Sequence, residues 1–552
     1  MATTLLDQSD DVLDALTLHL SPEAVGRLRR ACRALSVSAT PRHPAWECLR
    51  AAVLEAGWGG ALVAVAKGGH IQGLRWARAQ GCVFDARTCE AAAEGRHLSM
   101  LCWLTSQSPP CPWNTKTCES AAAVGELKML QWLRSRSPPC PWDEAVCEAA
   151  VYEGHLEVVQ WLRGQNPPCP WDAISCQLAA QRNHLSILQW LRAQDPPCPW
   201  NDKTCMAAAL NGHLKVLQWL RAQAEPCPWS EKTCDSAAYG GHLETLQWLR
   251  SQNPPCPWGE KTCEGAARGG GGRLETLQWM RAQENPCPWD ESTCSSAADN
   301  GNIEVLAWVR SQVPPCPWST MACRLAAKCG HLEALEWLRG QEPPCPWDEV
   351  TCTAAASEGR MVALQWLRSQ EPPCPWDLTT CQMAAQGGQL EALKWLRAQV
   401  PPAPWDVGVC QMGAQRGHLE VLKWLRSQSP PCPWDSTSCQ QAASEGRLAV
   451  LRWLRSQSPP CPWAKTACEA AAAGGHLSTL QWLRAQAPQA PWGKSACEAA
   501  AGGHLEVLKW LRAQTPPCPW NWLSCLTRAR TEEAAECEAW LEALSPPHIL
   551  AD

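Results

Sequence analysis

The sequence predicts an all-α solenoid of about 16 helix pairs with a small helical module ahead of it. Three observations lead there. A tryptophan recurs at a nearly constant interval, and each interval holds two short helix signatures separated by turn residues. The composition is that of a copied unit, since 35 Trp stand beside two Tyr and one Phe, a bias that a single ordinary core does not produce. A chain of 552 residues is also too long for one hydrophobic core.

The elements follow in chain order. Residues 1–54 lack the repeat. The opening MATTLLDQSD has neither a basic start nor an apolar core segment, and the chain contains no long uninterrupted apolar run,. A soluble protein of the cytoplasm or nucleus is expected, with its 35 Cys held mainly as thiols in that reducing setting. Val12, Leu16 and Leu20 lie on one helical stripe. Ser21 and Pro22 open a second helix whose apolar face is Val25, Leu28, Cys32 and Leu35,.

From residue 55 to 530 the unit repeats. The loop aromatic falls at Phe84, Trp113, Trp142, Trp171, Trp200, Trp229 and Trp258, 29 residues apart, and continues from Trp289 to Trp520. Only two intervals differ. Trp258 to Trp289 is 31 residues, where ARGGGGR inserts two, and Trp492 to Trp520 is 28. After each aromatic comes Asp, Asn, Ser or Gly, with Ala464 as the exception. Such residues satisfy the free N–H groups of a starting helix. The helix runs through Cys-x-x-Ala-Ala and stops, usually at Gly. A second helix, of which HLETLQWLR (242–250) is typical, places Leu243, Leu246 and Leu249 at helical spacing,. The prolines after it end the helix and favour an extended, polyproline-like return. One unit cannot fold alone, because ordering its backbone costs about 1–2 kcal/mol per residue while each large buried side chain returns only about 1.5–3 kcal/mol. Stacking must supply the rest. Residues 531–552, containing TEEAAECEAWLEAL, form a C-terminal capping helix and tail.

With those elements in place, AAYGGHLETLQWLR (237–250) resembles the ankyrin repeat. The departures are a 29-residue period, Thr-Cys in place of the usual opening, and a Pro-Pro-Cys-Pro-Trp loop where ankyrin proteins carry a hairpin finger. The N-terminal SDDVLDALTLHLSPEAVGRLRRACRALS (9–36), followed by PAWECL (44–49), resembles an F-box, although Gln8-Ser9 stands where that motif opens with Leu-Pro. This resemblance implies docking on a cullin-type ubiquitin-ligase adaptor through Val12, Leu13, Leu16, Leu20, Pro22, Val25 and Leu28. The two together imply a non-enzymatic, substrate-recruiting subunit that binds protein partners. A plain interaction scaffold with a helical N-terminal cap is the alternative, and a thiol-rich metal-binding array a third reading.

The cysteines of PPCPWDEVTC (343–352) and its copies lie seven apart, as in Cys82/Cys89 and Cys111/Cys118. That spacing suits structural zinc poorly, and Ala403 and Ala490 remove one sulfur from two copies. Packing is therefore the favoured role over a metal or disulfide, and no metal or cofactor is expected. Histidine opens the second helix in many units but gives way to Glu126, Arg273, Asn302, Arg360, Gln389 and Arg447, which points to a polar helix start rather than catalysis. An Arg closes almost every second helix, where it can stack on the loop Trp. Lys+Arg 48 against Asp+Glu 54 leaves a net charge of -6, which gives no electrostatic footprint for nucleic acid or membrane. No phosphate loop, paired carboxylates or activated nucleophile is legible, so no enzyme is expected. The outward position five residues after the helix Cys varies freely and holds both tyrosines. Tyr152, Gln181, Leu210, Tyr239 and Arg268 are accordingly the candidate partner-binding face.

Overall fold

The computed structural model describes residues 58–79, 81–269, 274–487 and 489–544. Among these residues the fold is a helical repeat solenoid of 34 α-helices with no strands. The N-terminal candidates Val12, Leu13, Leu16, Leu20, Pro22, Val25 and Leu28 lie outside the described residues, as does most of the glycine run. The chain divides into two compact units, Met1–Thr262 and Cys263–Asp552. Within each, first helices of neighbouring pairs lie against one another along their length, whereas second helices touch sparsely.

The pair around residues 201–221 shows how one copy is built. Asn201 sits in extended backbone and its side chain accepts the Lys203 N–H, starting the helix Asp202–Leu210. Where Ala464 replaces the capping residue the backbone is still extended but no side-chain bond forms. Thr204, Cys205, Ala208 and Ala209 are buried. Small side chains there let the next first helix approach closely. Gly212 then takes a φ of 69°, open to glycine without penalty. The second helix, Leu214–Arg221, buries Val216, Leu217 and Leu220. Its first residue, Leu214, is only half-buried. The expected apolar stripe is thus displaced: position three of the helix carries the seam and position one does not. After it, the peptide bond before the first proline is cis in twelve loops among the described residues, Ser108–Pro109 included, where an extended polyproline-like path was expected.

Three kinds of bond tie each copy to its neighbour. First, His213 Nε2 lies 3.0 Å from the Gln181 carbonyl, the last residue of the preceding first helix,. His155, His184, His242, His331, His418 and His476 make the same contact one unit back. Where arginine replaces histidine, Arg360 Nε and Arg447 Nε donate to the equivalent carbonyls of Lys328 and Gln415. At these two positions the exchange keeps an N–H in the same place. These bonds satisfy carbonyls that a helix end leaves open.

Second, Arg221 Nη1 donates to the Cys227 carbonyl at 2.6 Å while its guanidinium lies 3.9 Å over the Trp229 ring. Trp200 meets Trp219 edge-on at 6.2 Å. Since the acceptor is a backbone carbonyl, Arg397 and Arg484 make the same bond to Ala403 and Ala490. The loop indoles are half-buried under these cations. Arg221→Ala is expected to lower stability by about 2 kcal/mol. Arg221→Lys should recover less than half of it, because an ammonium cannot stack and donate as a planar fork does. Urea midpoints of the three proteins measure this.

Third, the cysteines pair across copies rather than within them. Cys89 Sγ lies 3.1 Å from Cys111 Sγ, 22 residues on, and Cys118/Cys140, Cys176/Cys198 and Cys205/Cys227 are hydrogen-bonded in the same register. The loop thiols also donate to the preceding cap carbonyl, as Cys140 does to Asn114 at 3.3 Å. Ala403 and Ala490 therefore face Cys381 and Cys468 of the preceding copy, not the cysteine seven residues on. All described cysteines are free, and all but Cys102 and Cys329 are buried.

Candidate functional site

The first-helix face is made by one constant rule. Cysteine and the two alanines three and four residues later turn inward, so the fifth residue stands at the rim where the helix ends. In the first compact unit this places Tyr152, Gln181, Leu210 and Tyr239 on the first helices of four successive pairs. Leu210 is 40% and Tyr239 49% exposed, and Tyr152 and Gln181 are half-buried. Arg268 belongs to the second compact unit, where it is exposed and lies 3.8 Å from Glu264.

An open cavity of about 380 Å³ lies among Tyr152, Glu153, Gln181, Arg182, His184, Asn211 and His213. Arg182 holds its guanidinium 4.1 Å over the Tyr152 ring. The imidazoles are fixed by their carbonyls, His184 Nε2 to Tyr152 at 3.1 Å and His213 Nε2 to Gln181 at 3.0 Å. Burial holds His213 below the usual histidine range. Asn211 Nδ2 donates to Ala207 at 2.9 Å. Of this group the sequence pointed only to Tyr152 and Gln181. Arg182, Asn211 and the histidines were missed, although a signal existed: in QRNH (181–184) Asn183 takes a φ of 63° where Gly154 and Gly212 stand in the adjoining copies. Asparagine is among the few side chains that tolerate that region.

A larger groove of about 800 Å³ lies near the C-terminus, beside Glu498, Ser524, Thr527 and Arg528. It opens where the first helix shortens to the seven residues Lys494–Ala500, in the 28-residue interval. Its one cation, Arg528, is taken by Glu532 at 3.0 Å. Among the described residues, no three or more His, Cys, Asp and Glu converge where they could hold a metal ion. No described helix is long and apolar enough to cross a membrane.

No protein-family model matches the chain, and no curated protein matches it in sequence. Among solved structures it is similar to the pentatricopeptide repeat protein PPR10 in complex with an 18-nucleotide psaJ RNA element, with 13% identity, a TM-score of 0.33, and coverage of 98% of this chain and 97% of that one. The PPR10 structure from maize matches with 14% identity, a TM-score of 0.29 and coverage of 98% and 96%. These are helical repeat proteins and neither ankyrin nor F-box proteins, and one holds RNA.

The ankyrin and F-box assignments, the ligase-adaptor function and its scaffold alternative, the protein partners on the repeat face and the exclusion of nucleic acid are corrected accordingly. The exclusion had a physical flaw as well. A net charge of -6 sums the whole chain and does not describe the charge along one face, where flat side chains and amides can contact unpaired bases.

Proposed function

We propose that the chain is a non-enzymatic binding solenoid whose first-helix rim is a track for one extended, flexible polymer strand. The observation that supports this most is a constant frame carrying one freely varied side chain per copy. Tyr152, Gln181, Leu210 and Tyr239 recur every 29 residues, and the carbonyls of Tyr152, Gln181 and Leu210 are held by the histidine one copy on. Rigid spacing with interchangeable contacts is what a strand-binding surface requires. Arg268 continues the series in the second compact unit. In this reading the described copies of each compact unit form a track by themselves, and the helix Ala535–Ala543 closes the end of the second.

A photo-crosslinking side chain at Leu210, on the rim, and another at exposed Gln218, on the second helix, test it. Polymer adducts are expected at 210 and not at 218. Equal labelling at both, or labelling at 218 alone, overturns the reading.

A further inference from the structure

We infer that the cavity beside Tyr152 receives one unstacked base of a single-stranded nucleic acid, which rests on the strand-track reading above. Its volume, about 380 Å³, is at the small end of ligand sites and suits one ring system. Its lining offers a flat group: the Arg182 guanidinium is stacked on the Tyr152 ring at 4.1 Å, and unpaired bases stack on the open side of either kind of surface. Its hydrogen-bonding groups are uncommitted where a base edge needs them. Neither the Tyr152 hydroxyl nor the Gln181 side-chain amide has a partner among the described residues, and an amide supplies donor and acceptor together, as base edges demand.

Charge narrows the class further. Arg182 is matched by Glu153 in the same lining, so the site carries no surplus cation of the kind that phosphate or carboxylate recognition uses. A neutral planar heterocycle fits this balance. The frame is also held in place before any ligand arrives, because His184 and His213 lock the carbonyls of Tyr152 and Gln181. A flat surface held in place before binding favours flat groups over flexible ones.

Fluorescence anisotropy of the full chain with short labelled RNA and DNA strands of each base type tests the inference, with circular dichroism confirming that each variant is folded. The unsubstituted protein is expected to bind at least one strand. Tyr152→Ala should weaken that binding roughly tenfold, Gln181→Ala should change the order of preference among bases, and Gln218→Ala should do neither. RNA and DNA binding alike places recognition in the base; a preference for RNA adds the sugar hydroxyl. Strand binding that is unchanged in Tyr152→Ala and Gln181→Ala overturns the base site and leaves the track intact. Failure of every strand to bind, or a Trp-bearing peptide binding through Tyr152 instead, overturns the base site, while the Leu210 adduct judges the track separately.

Discussion

Raising the pH from about 8 to about 11 is expected to unfold the solenoid cooperatively, well before its lysines or two tyrosines account for the loss. The cause is the thiol ladder. The hydrogen bond to the partner sulfur, joined by burial, pushes the helix thiols Cys118, Cys176 and Cys205 up, and burial does the same for Cys147. Burial, outweighing the nearby arginines, puts Cys169, Cys381 and Cys468 at about 12. A group raised on folding contributes stability that is complete below its unfolded value and is lost as the pH climbs through the folded one. The window therefore opens near about 8.5, where free thiols ionise, and extends to about 12. At pH 10 a thiol that stays neutral in the fold but ionises in the unfolded chain costs about 2 kcal/mol. The effect accumulates along the array. Cys518 runs the other way, lowered by its hydrogen bond with Cys497, which is itself raised. Circular dichroism against pH measures the transition. Alanine at both thiols of several copies, as Ala403 and Ala490 already show for one sulfur, should move the midpoint upward. An unchanged midpoint in that variant would remove the thiols as the cause.

Gly154→Ala is expected to cost about 2–3 kcal/mol, the second large effect. Gly154 has a φ of 88°, which costs an alanine about 1–2 kcal/mol. An added Cβ would also lie 2.6 Å from His184 Cε1, displacing the imidazole and its bond to the Tyr152 carbonyl, worth about 1 kcal/mol. The two parts separate in a double-mutant cycle. In a His184→Ala background Gly154→Ala should cost only the backbone share. Gly81→Ala is the second control, since Gly81 has a φ of 85° with nothing within 4 Å of its Cβ position. Equal costs in both backgrounds would show that the imidazole is not held against Gly154. Denaturant midpoints decide it.

The periodic features were legible in the chain. Helix pairs, cap residues such as Asn201 and Asp172, the stop glycines and the inward Cys-x-x-Ala-Ala face all follow from local rules, because helix caps and helical spacing act within a few residues. The Arg-on-Trp contact was also legible, since Arg221 and Trp229 lie eight residues apart across one loop. The cysteine partners were not. Seven residues separate Cys82 from Cys89, yet Cys89 meets Cys111, because stacking sets that distance and spacing along the chain does not. The histidines were read as local helix starts for the same reason: the carbonyl that His184 holds lies 32 residues back.

The candidate site divides in the same way. Position five was found because two alanines and a cysteine fix which side of a helix faces out, and Tyr152 and Gln181 stand on it. That Arg182 lies over the Tyr152 ring, and that Asn211 and His213 from the following copy complete the same cavity, is decided by how adjacent copies register. The amino-acid sequence by itself determined that there is a repeating helix pair, where each helix starts and stops, and which side of it is apolar, since these depend on side chains within a turn or two of one another. Only the tertiary structure decided which copy supplies each partner for a thiol, a carbonyl or a ring. Those choices depend on the rise and rotation from one copy to the next, a quantity that no single copy contains.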